Sequence, residues 1–397
     1  MHDKKKILFV INSLGCGGAE KSLVSLLPLI DYSKYEVDLQ MFNPTGMFLE
    51  LLPNEINILP KLDYYKFLNL NIYQKLKTLK IKYIISFLTT SISLRINNKK
   101  KKFHDSEVFW KHSHKSISNS DIKYDIAIAW GQGNPTHYVA EKVQSDKKLA
   151  WINADYISTG HNMYFDKPFY DSYEKIVSVS NQLEKQLQKE FPKLKHKLTT
   201  VLDIQNSDLI NKMSKLKTID INKADKKLSI VTVGRMVQLK GYDLAVEAGK
   251  ILKENNIDFE WYFVGDGPER ESIKNKIKEY GLENNIFVLG AKSNPYPYIK
   301  SADIYVQPSL YEGYCLTLAE ARILNKPIVT TNFDVVKEQI TNEKNGLIVS
   351  INSNSIADGI KRLINDNDLR AQLVDNLKKE KKGNIEEMEK FYRLIEN

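Results

Sequence analysis

The residues richest in chemistry lie in PSLYEGYCLTLAEA, positions 308–321, where Glu312 and Glu320 stand eight apart. Glu312 precedes Gly313 in a loop-like stretch, and Glu320 falls in a helical one. Carboxylates are acceptors suited to hydroxyl groups. Gly313 permits close backbone approach, and the N–H groups of Tyr314, Cys315 and Leu316 would point out of a helix start, where an anion can sit. Upstream, VGRMVQLKG sets Arg235 directly after an apolar strand and Lys240 five residues later, at the next helix start. A guanidinium and an ammonium there would neutralise a diphosphate, the first by bidentate bonds and the second as a compact charge. Only 7 of the 58 basic residues are Arg, so Arg235 carries more information than Lys240. The competing reading of Arg235 is a surface ion pair. Taken together, the acids suit polyol hydroxyls and the bases suit phosphates.

Other stretches carry less. GCGGAE (15–20) follows a strand and opens a helix, but its sixth position is Glu20, which would crowd a pyrophosphate. That argues against a dinucleotide fingerprint. The chain holds no GxxxxGK[ST] phosphate loop. HSH (112–114) with His104 has metal-ligand types but sits in a cationic segment that reads as solvated surface. DND (366–368) lies between helical stretches and reads as a turn or helix cap. FVGDGPER (263–270) is a strand, a turn and a proline at a helix start, which turn chemistry alone explains.

These residues must be positioned by elements that the apolar runs reveal. KKILFVIN, YEVDLQMF, YDIAIAW, KLAWIN and KIVSVS alternate with helical stretches in the first half. LSIVTVG, FEWYFVG, IFVLG, ADIYVQPS, PIVTT and GLIVS do so in the second. Continuous apolar strands suit parallel sheets covered on both faces. The chain therefore reads as α/β, with two doubly wound Rossmann-like domains facing across a cleft. The first spans 1–205, a polar connector 206–227, and the second 228–380. A terminal helix at 384–397 carries apolar residues at helical spacing and is expected to close back on the first domain.

At 397 residues, two domains are the natural expectation. The longest apolar run, YIISFLTTSISL, has 12 residues, too few for a span. MHDKKKILFVIN lacks a signal-peptide pattern, and two cysteines, Cys16 and Cys315, offer no disulfide framework. A cytoplasmic protein is expected. The net charge is +9, yet residues 61–120 alone hold 13 Lys or Arg against 3 Asp or Glu, a local +10. Within that window Ile72, Leu76, Leu79 and Tyr83 share one helical face, flanked by Lys75, Lys80 and Lys82. One reading is a basic amphipathic helix holding residues 61–115 against an anionic membrane, on the inner face of the cell membrane. The other is an ordinary surface helix in a lysine-rich chain. No nucleic-acid module accompanies the charge.

EGYCLTLAE, together with GR…KG, GDGPE and GGAE in this order, resembles the retaining GT-B glycosyltransferases of family 4, from residues 5–30 to about 350. The resemblance implies that Glu312 contacts donor-sugar hydroxyls and Glu320 the ribose. Arg235 and Lys240 would hold the diphosphate and, with Glu312, form the catalytic set. Gly313, Tyr314, Cys315 and Leu316 would complete the donor site, with Gly17 and Gly18 bringing N–H groups from the other domain. It implies a nucleotide-diphosphate sugar as donor, UDP by family frequency, a lipid-linked or growing surface polysaccharide as acceptor, and no metal or other cofactor. Two departures stand out. Cys315 replaces a usual glycine, and Asn153 replaces a His that lines the donor-sugar pocket. His137 is the other candidate for that role, and a surface-helix histidine is the alternative. With Cys16 and Cys315 near the site, thiol modification is expected to inhibit. The competing functions are a nucleotide-sugar 2-epimerase-like isomerase and a non-catalytic nucleotide- or anion-binding protein.

Overall fold

The computed structural model describes residues 4–15, 17–100, 102–154, 156, 159–216 and 227–396. The chain divides into two compact units, residues 1–203 with 386–397, and residues 204–385.

In the first unit, seven strands form one sheet: β1 (Lys5–Ile11), β2 (Tyr35–Met41), β3 (Asn57–Ile58), β4 (Lys123–Trp130), β5 (Gln144–Ile152), β6 (Lys175–Ser178) and β7 (Leu198–Thr200). Their order is β3-β2-β1-β4-β5-β6-β7, and every pairing is parallel. The strand residues Ile7–Val10 and Ala127–Ala129 are almost wholly inaccessible, as a sheet covered on both faces requires. The helix Glu387–Glu396 belongs to this unit. Phe391 stacks on Phe9 at 6.3 Å and lies 6.1 Å from Trp151, and the Tyr392 hydroxyl accepts from the Asp31 N–H at 2.8 Å.

The second unit has six strands: β8 (Leu228–Val233), β9 (Phe259–Val264), β10 (Ile286–Gly290), β11 (Ile304–Gln307), β12 (Ile328–Thr331) and β13 (Leu347–Val349). Their order is β10-β9-β8-β11-β12-β13, again all parallel. In each sheet the direction of winding reverses between two central strands, β1 and β4 in one and β8 and β11 in the other. Loops leaving the carboxyl ends of such strands are where doubly wound sheets bind ligands. Within 206–227, Ser207–Met213 is a helix whose Ile210 joins the core of this unit; residues 217–226 lie outside the described residues.

The basic window departs from the single amphipathic helix expected for it. Ile72–Lys77 and Ile81–Lys100 are separate helices, broken where Leu79 takes a left-handed φ of 53°. Tyr83 turns inward to an aromatic cluster, 5.2 Å from Tyr64 and 5.4 Å from Phe67, which a helix continuous through Leu79 would not require. Lys75 also leaves the expected flank. It is buried, and its ammonium donates to the carbonyls of Leu68 and Leu70 at 2.9 and 2.6 Å, capping the end of the helix Asp63–Leu68.

Candidate active site

In the second unit, β8 delivers Gly234 and Arg235 at its carboxyl end. The turn after β9 clamps this junction, with the Met236 N–H donating to Asp266 O at 2.9 Å and the Glu269 N–H to Met236 O at 3.0 Å. A side chain on Gly265 would lie 1.8 Å from the Gly234 carbonyl oxygen, so GDG packs backbone on backbone. Its turn role is therefore to hold the β8 loop. Arg235 is exposed and forms no ion pair or side-chain hydrogen bond among the described residues. The surface ion pair weighed for it is thus not formed.

Lys240 ends a short 3-10 turn, and Gly241 follows at φ 63°. A side chain at 241 would sit 2.0 Å from the Pro308 carbonyl oxygen, so only glycine lets the loop after β11 come this close. The Leu310 N–H seals that approach by donating to Leu239 O at 2.8 Å. Lys240 is thereby brought onto Glu312, its ammonium bonded to Oε2. Glu312 is 5% exposed and Lys240 27%. Burial works against the charge on Lys240, but the Glu312 carboxylate more than offsets it and the ammonium's pKa is raised.

Glu312 is held from its other side as well. Its Oε1 accepts from the Ser309 hydroxyl at 2.7 Å and the Gln307 amide at 3.2 Å. Gln307 is itself oriented by the Tyr305 and Thr317 hydroxyls at 2.5 and 3.2 Å. The sequence reading passed over Gln307; its signal was an amide in an otherwise apolar buried strand, where a polar group needs partners.

Glu320 lies on the helix Leu316–Ile323, buried, with Oε1 accepting from the Tyr296 hydroxyl at 3.4 Å. Between the acids, Gly313 and Tyr314 are half-buried, and Cys315 adopts a left-handed φ of 70°. That conformation favours glycine, so the cysteine here sits in a strained backbone. Gln339 secures it, its amide donating to the carbonyls of Tyr314 and Cys315. The Cys315 thiol is buried, and burial pushes its pKa well up. A buried protonated thiol is a poor nucleophile, which removes the basis for expecting modification at Cys315. Cys16 lies outside the described residues.

In the first unit, Gly17 precedes and Gly18 opens the helix Gly18–Leu26. A side chain at Gly17 would meet Glu20 Oε2 at 2.3 Å, so glycine is what lets the Glu20 carboxylate fold back over the helix start. Asn153 follows β5 directly, and its N–H donates to the Gln132 side chain at 3.3 Å. Both polar atoms of its own amide are buried without a partner among the described residues. Buried orphans of this kind are rare and point to a ligand or water. His137 is neither at the surface nor open to a ligand through Nε2: it is fully buried and shares a 2.7 Å hydrogen bond with Asp166 Oδ1. Asp366 is a helix cap, accepting from the Leu369 N–H at 2.8 Å.

Two doubly wound parallel sheets with acids and bases at their strand ends define the class: this is the fold of the GT-B glycosyltransferases. Residues 215–380, most of the second unit, match the family model of glycosyl transferases group 1. An uncharacterized glycosyltransferase of Haemophilus influenzae is 27% identical over 234 residues, 58% of this chain and 63% of that protein. The chain thus spans a little under two thirds of that relative. The N-acetylgalactosamine-N,N'-diacetylbacillosaminyl-diphospho-undecaprenol 4-alpha-N-acetylgalactosaminyltransferase of Campylobacter jejuni is 25% identical over 376 residues, 92% of each chain. Among solved structures, Anabaena HepE in complex with UDP-glucose superposes with a TM-score of 0.65 at 16% identity, covering 94% of this chain and 93% of that one.

Proposed function

We propose that this chain is a retaining glycosyltransferase that moves a sugar from a UDP-sugar to a lipid-linked or growing surface-polysaccharide acceptor. The observation that carries the reading is the strand-end set of the second unit: an exposed, unpaired Arg235 after β8, and Lys240 seated on a buried Glu312 after β11. Arg235 and Lys240 supply positive charge for a departing diphosphate. Glu312, oriented by Lys240, Ser309 and Gln307, retains lone pairs for the hydroxyls of the donor sugar. Glu320 offers a second carboxylate for the ribose, and Asn153 an unmet amide for the sugar or acceptor.

In this reading the acceptor hydroxyl attacks the anomeric carbon on the face from which the diphosphate leaves, and a leaving oxygen takes its proton. The protein contributes charge stabilisation and orientation, with no side-chain nucleophile. The two cations fill the role a metal would play on the diphosphate. The UDP-glucose complex of HepE and the diphospho-undecaprenol named for the Campylobacter relative support the donor and acceptor classes.

The acceptor class also suits a membrane surface. Ile81, Ile85, Leu88, Ile92 and Ile96 are each more than half exposed and recur every three to four residues along the helix Ile81–Lys100. Ile72, Tyr73, Leu76 and Leu79 are exposed just before them. Large apolar side chains left in water over such a stretch, among Lys77, Lys80, Lys82 and Arg95, fit an in-plane anchor on anionic lipid. No helix among the described residues is long and apolar enough to cross a membrane.

The test is a panel of UDP-sugars with prenyl-diphosphate-linked glycan acceptors in vesicles, with the product's anomeric configuration read by NMR. A transferred sugar of unchanged configuration, with turnover falling about 10²-fold or more in Arg235→Ala at saturating donor, is expected. A donor epimerised at C2, or a fully active Arg235→Ala, overturns the proposal.

A further inference from the structure

The first unit buries a second group of ionisable side chains that the transfer reaction does not use. Glu107 on the helix Asp105–Ser113, His161, and Asp166 on the helix Met163–Asp171 converge, with one ligand-type atom from each lying within 4.8 Å of the others. Their side chains are 0%, 5% and 1% exposed. His161 Nδ1 lies 3.4 Å from Glu107 Oε1 and 3.5 Å from Asp166 Oδ2. Neither separation meets the geometry of a hydrogen bond, and both are ion-pair distances if the ring is protonated.

Those separations are informative. A charge-assisted N–H···O bond closes to about 2.7–2.9 Å. Ligands bound about 2.0–2.2 Å from a tetrahedral cation stand roughly 3.3–3.5 Å from one another. The imidazole nitrogen stands from each carboxylate at the separation of two ligands on one cation, and all three atoms lie within 4.8 Å of one another. Each carboxylate also has fixed partners, including on the oxygen nearest His161. Asp166 Oδ1 is bonded to His137 Nε2 at 2.7 Å, and Oδ2 accepts from the Tyr156 hydroxyl. Glu107 accepts from the N–H groups of His104 at 3.1 Å and Asn162 at 2.5 Å. The His161 ring stacks on His104 with centroids 4.1 Å apart. Outer partners of this kind orient ligands in metal sites. Glu107 also lines a cavity of about 200 Å³, bounded by Asn97, Phe103 and Phe165.

We propose that Glu107, His161 and Asp166 bind a divalent transition-metal cation, with Zn²⁺ the best match to one imidazole and two carboxylates. The site is separate from the diphosphate cations of the second unit. It joins residue 161 to the helices Asp105–Ser113 and Met163–Asp171, and so acts as a staple between them. The competitor for the same position is a second proton on His161, held between the carboxylates.

The test uses the full chain, untagged and purified without chelator. Elemental analysis is expected to give about one Zn²⁺ per chain, or Zn²⁺ added to metal-free protein is expected to raise the melting temperature by several degrees. Chelator should reverse the shift, and His161→Ala and Glu107→Gln should each abolish it. Metal-free protein whose melting temperature responds to neither Zn²⁺ nor chelator overturns the proposal and leaves a proton as the bridge. The wild-type measurement decides even if a variant fails to fold.

Discussion

Lys240→Met removes the ammonium from Glu312 and leaves its carboxylate, 5% exposed, with only the Ser309 and Gln307 bonds. Breaking a fully buried pair from one side costs about 3–5 kcal/mol. Lys240 is 27% exposed, so water partly replaces it, and we expect about 1–3 kcal/mol. UDP affinity should fall about tenfold or more, the worth of one hydrogen bond to a charged group. The informative variant is the double one. Lys240→Met with Glu312→Gln no longer strands a charge, so its stability should return to within about 1 kcal/mol of wild type, whereas UDP affinity should not return. Urea unfolding of the four members of the cycle, with UDP titration by calorimetry on each, gives both numbers. Additive losses of stability in the double variant, or a Lys240→Met chain as stable as wild type, would refute the idea that Lys240 and Glu312 form one electrostatic unit.

Two further predictions concern the first unit. Ile85→Ser with Ile92→Ser removes two exposed apolar groups from the helix Ile81–Lys100. Melting should be unchanged, while binding to phosphatidylglycerol vesicles in flotation should fall roughly tenfold or more, at about 1 kcal/mol per half-exposed side chain; undiminished flotation would remove the helix from the membrane account. Burial pushes the Asp203 carboxyl up to about 7 from an ordinary 3.8, against the Ser22 hydroxyl bond that lowers it. A folded-state pKa above the unfolded one means this contribution is whole below about pH 4 and is lost as pH rises through about 7. Asp203→Asn should therefore flatten the fall in urea-unfolding stability between pH 4.5 and 8, by up to about 3 kcal/mol. Parallel pH profiles for the two proteins would contradict it.

Much of this arrangement was legible because burial on both faces writes a parallel strand as an unbroken apolar run. KKILFVI and LSIVTV could hardly be anything else. β3 and β7 escaped because two- and three-residue edge strands leave no such run. The break at Leu79 was invisible, since periodicity continues through it and only the inward pull of Tyr83 and Lys75 reveals the turn. Glu312 and Lys240 were readable from type and from place at strand ends. The residues that aim Glu312 were not: Gln307 acts through a partner five positions on, and the closeness of Gly241 to Pro308 joins segments far apart in the chain. Glu107 and His161 lie 54 residues apart, beyond any spacing rule.

Whether Arg235 holds the diphosphate of a nucleotide is decided by thermal stabilisation with UDP, GDP, ADP and CMP, each on wild type and on Arg235→Ala. A nucleotide at 100 times its dissociation constant adds about 2.7 kcal/mol, several degrees of melting temperature. UDP should stabilise the wild type, and Arg235→Ala should lose most of the shift. A well-folded wild type that none of the four nucleotides stabilises would contradict it.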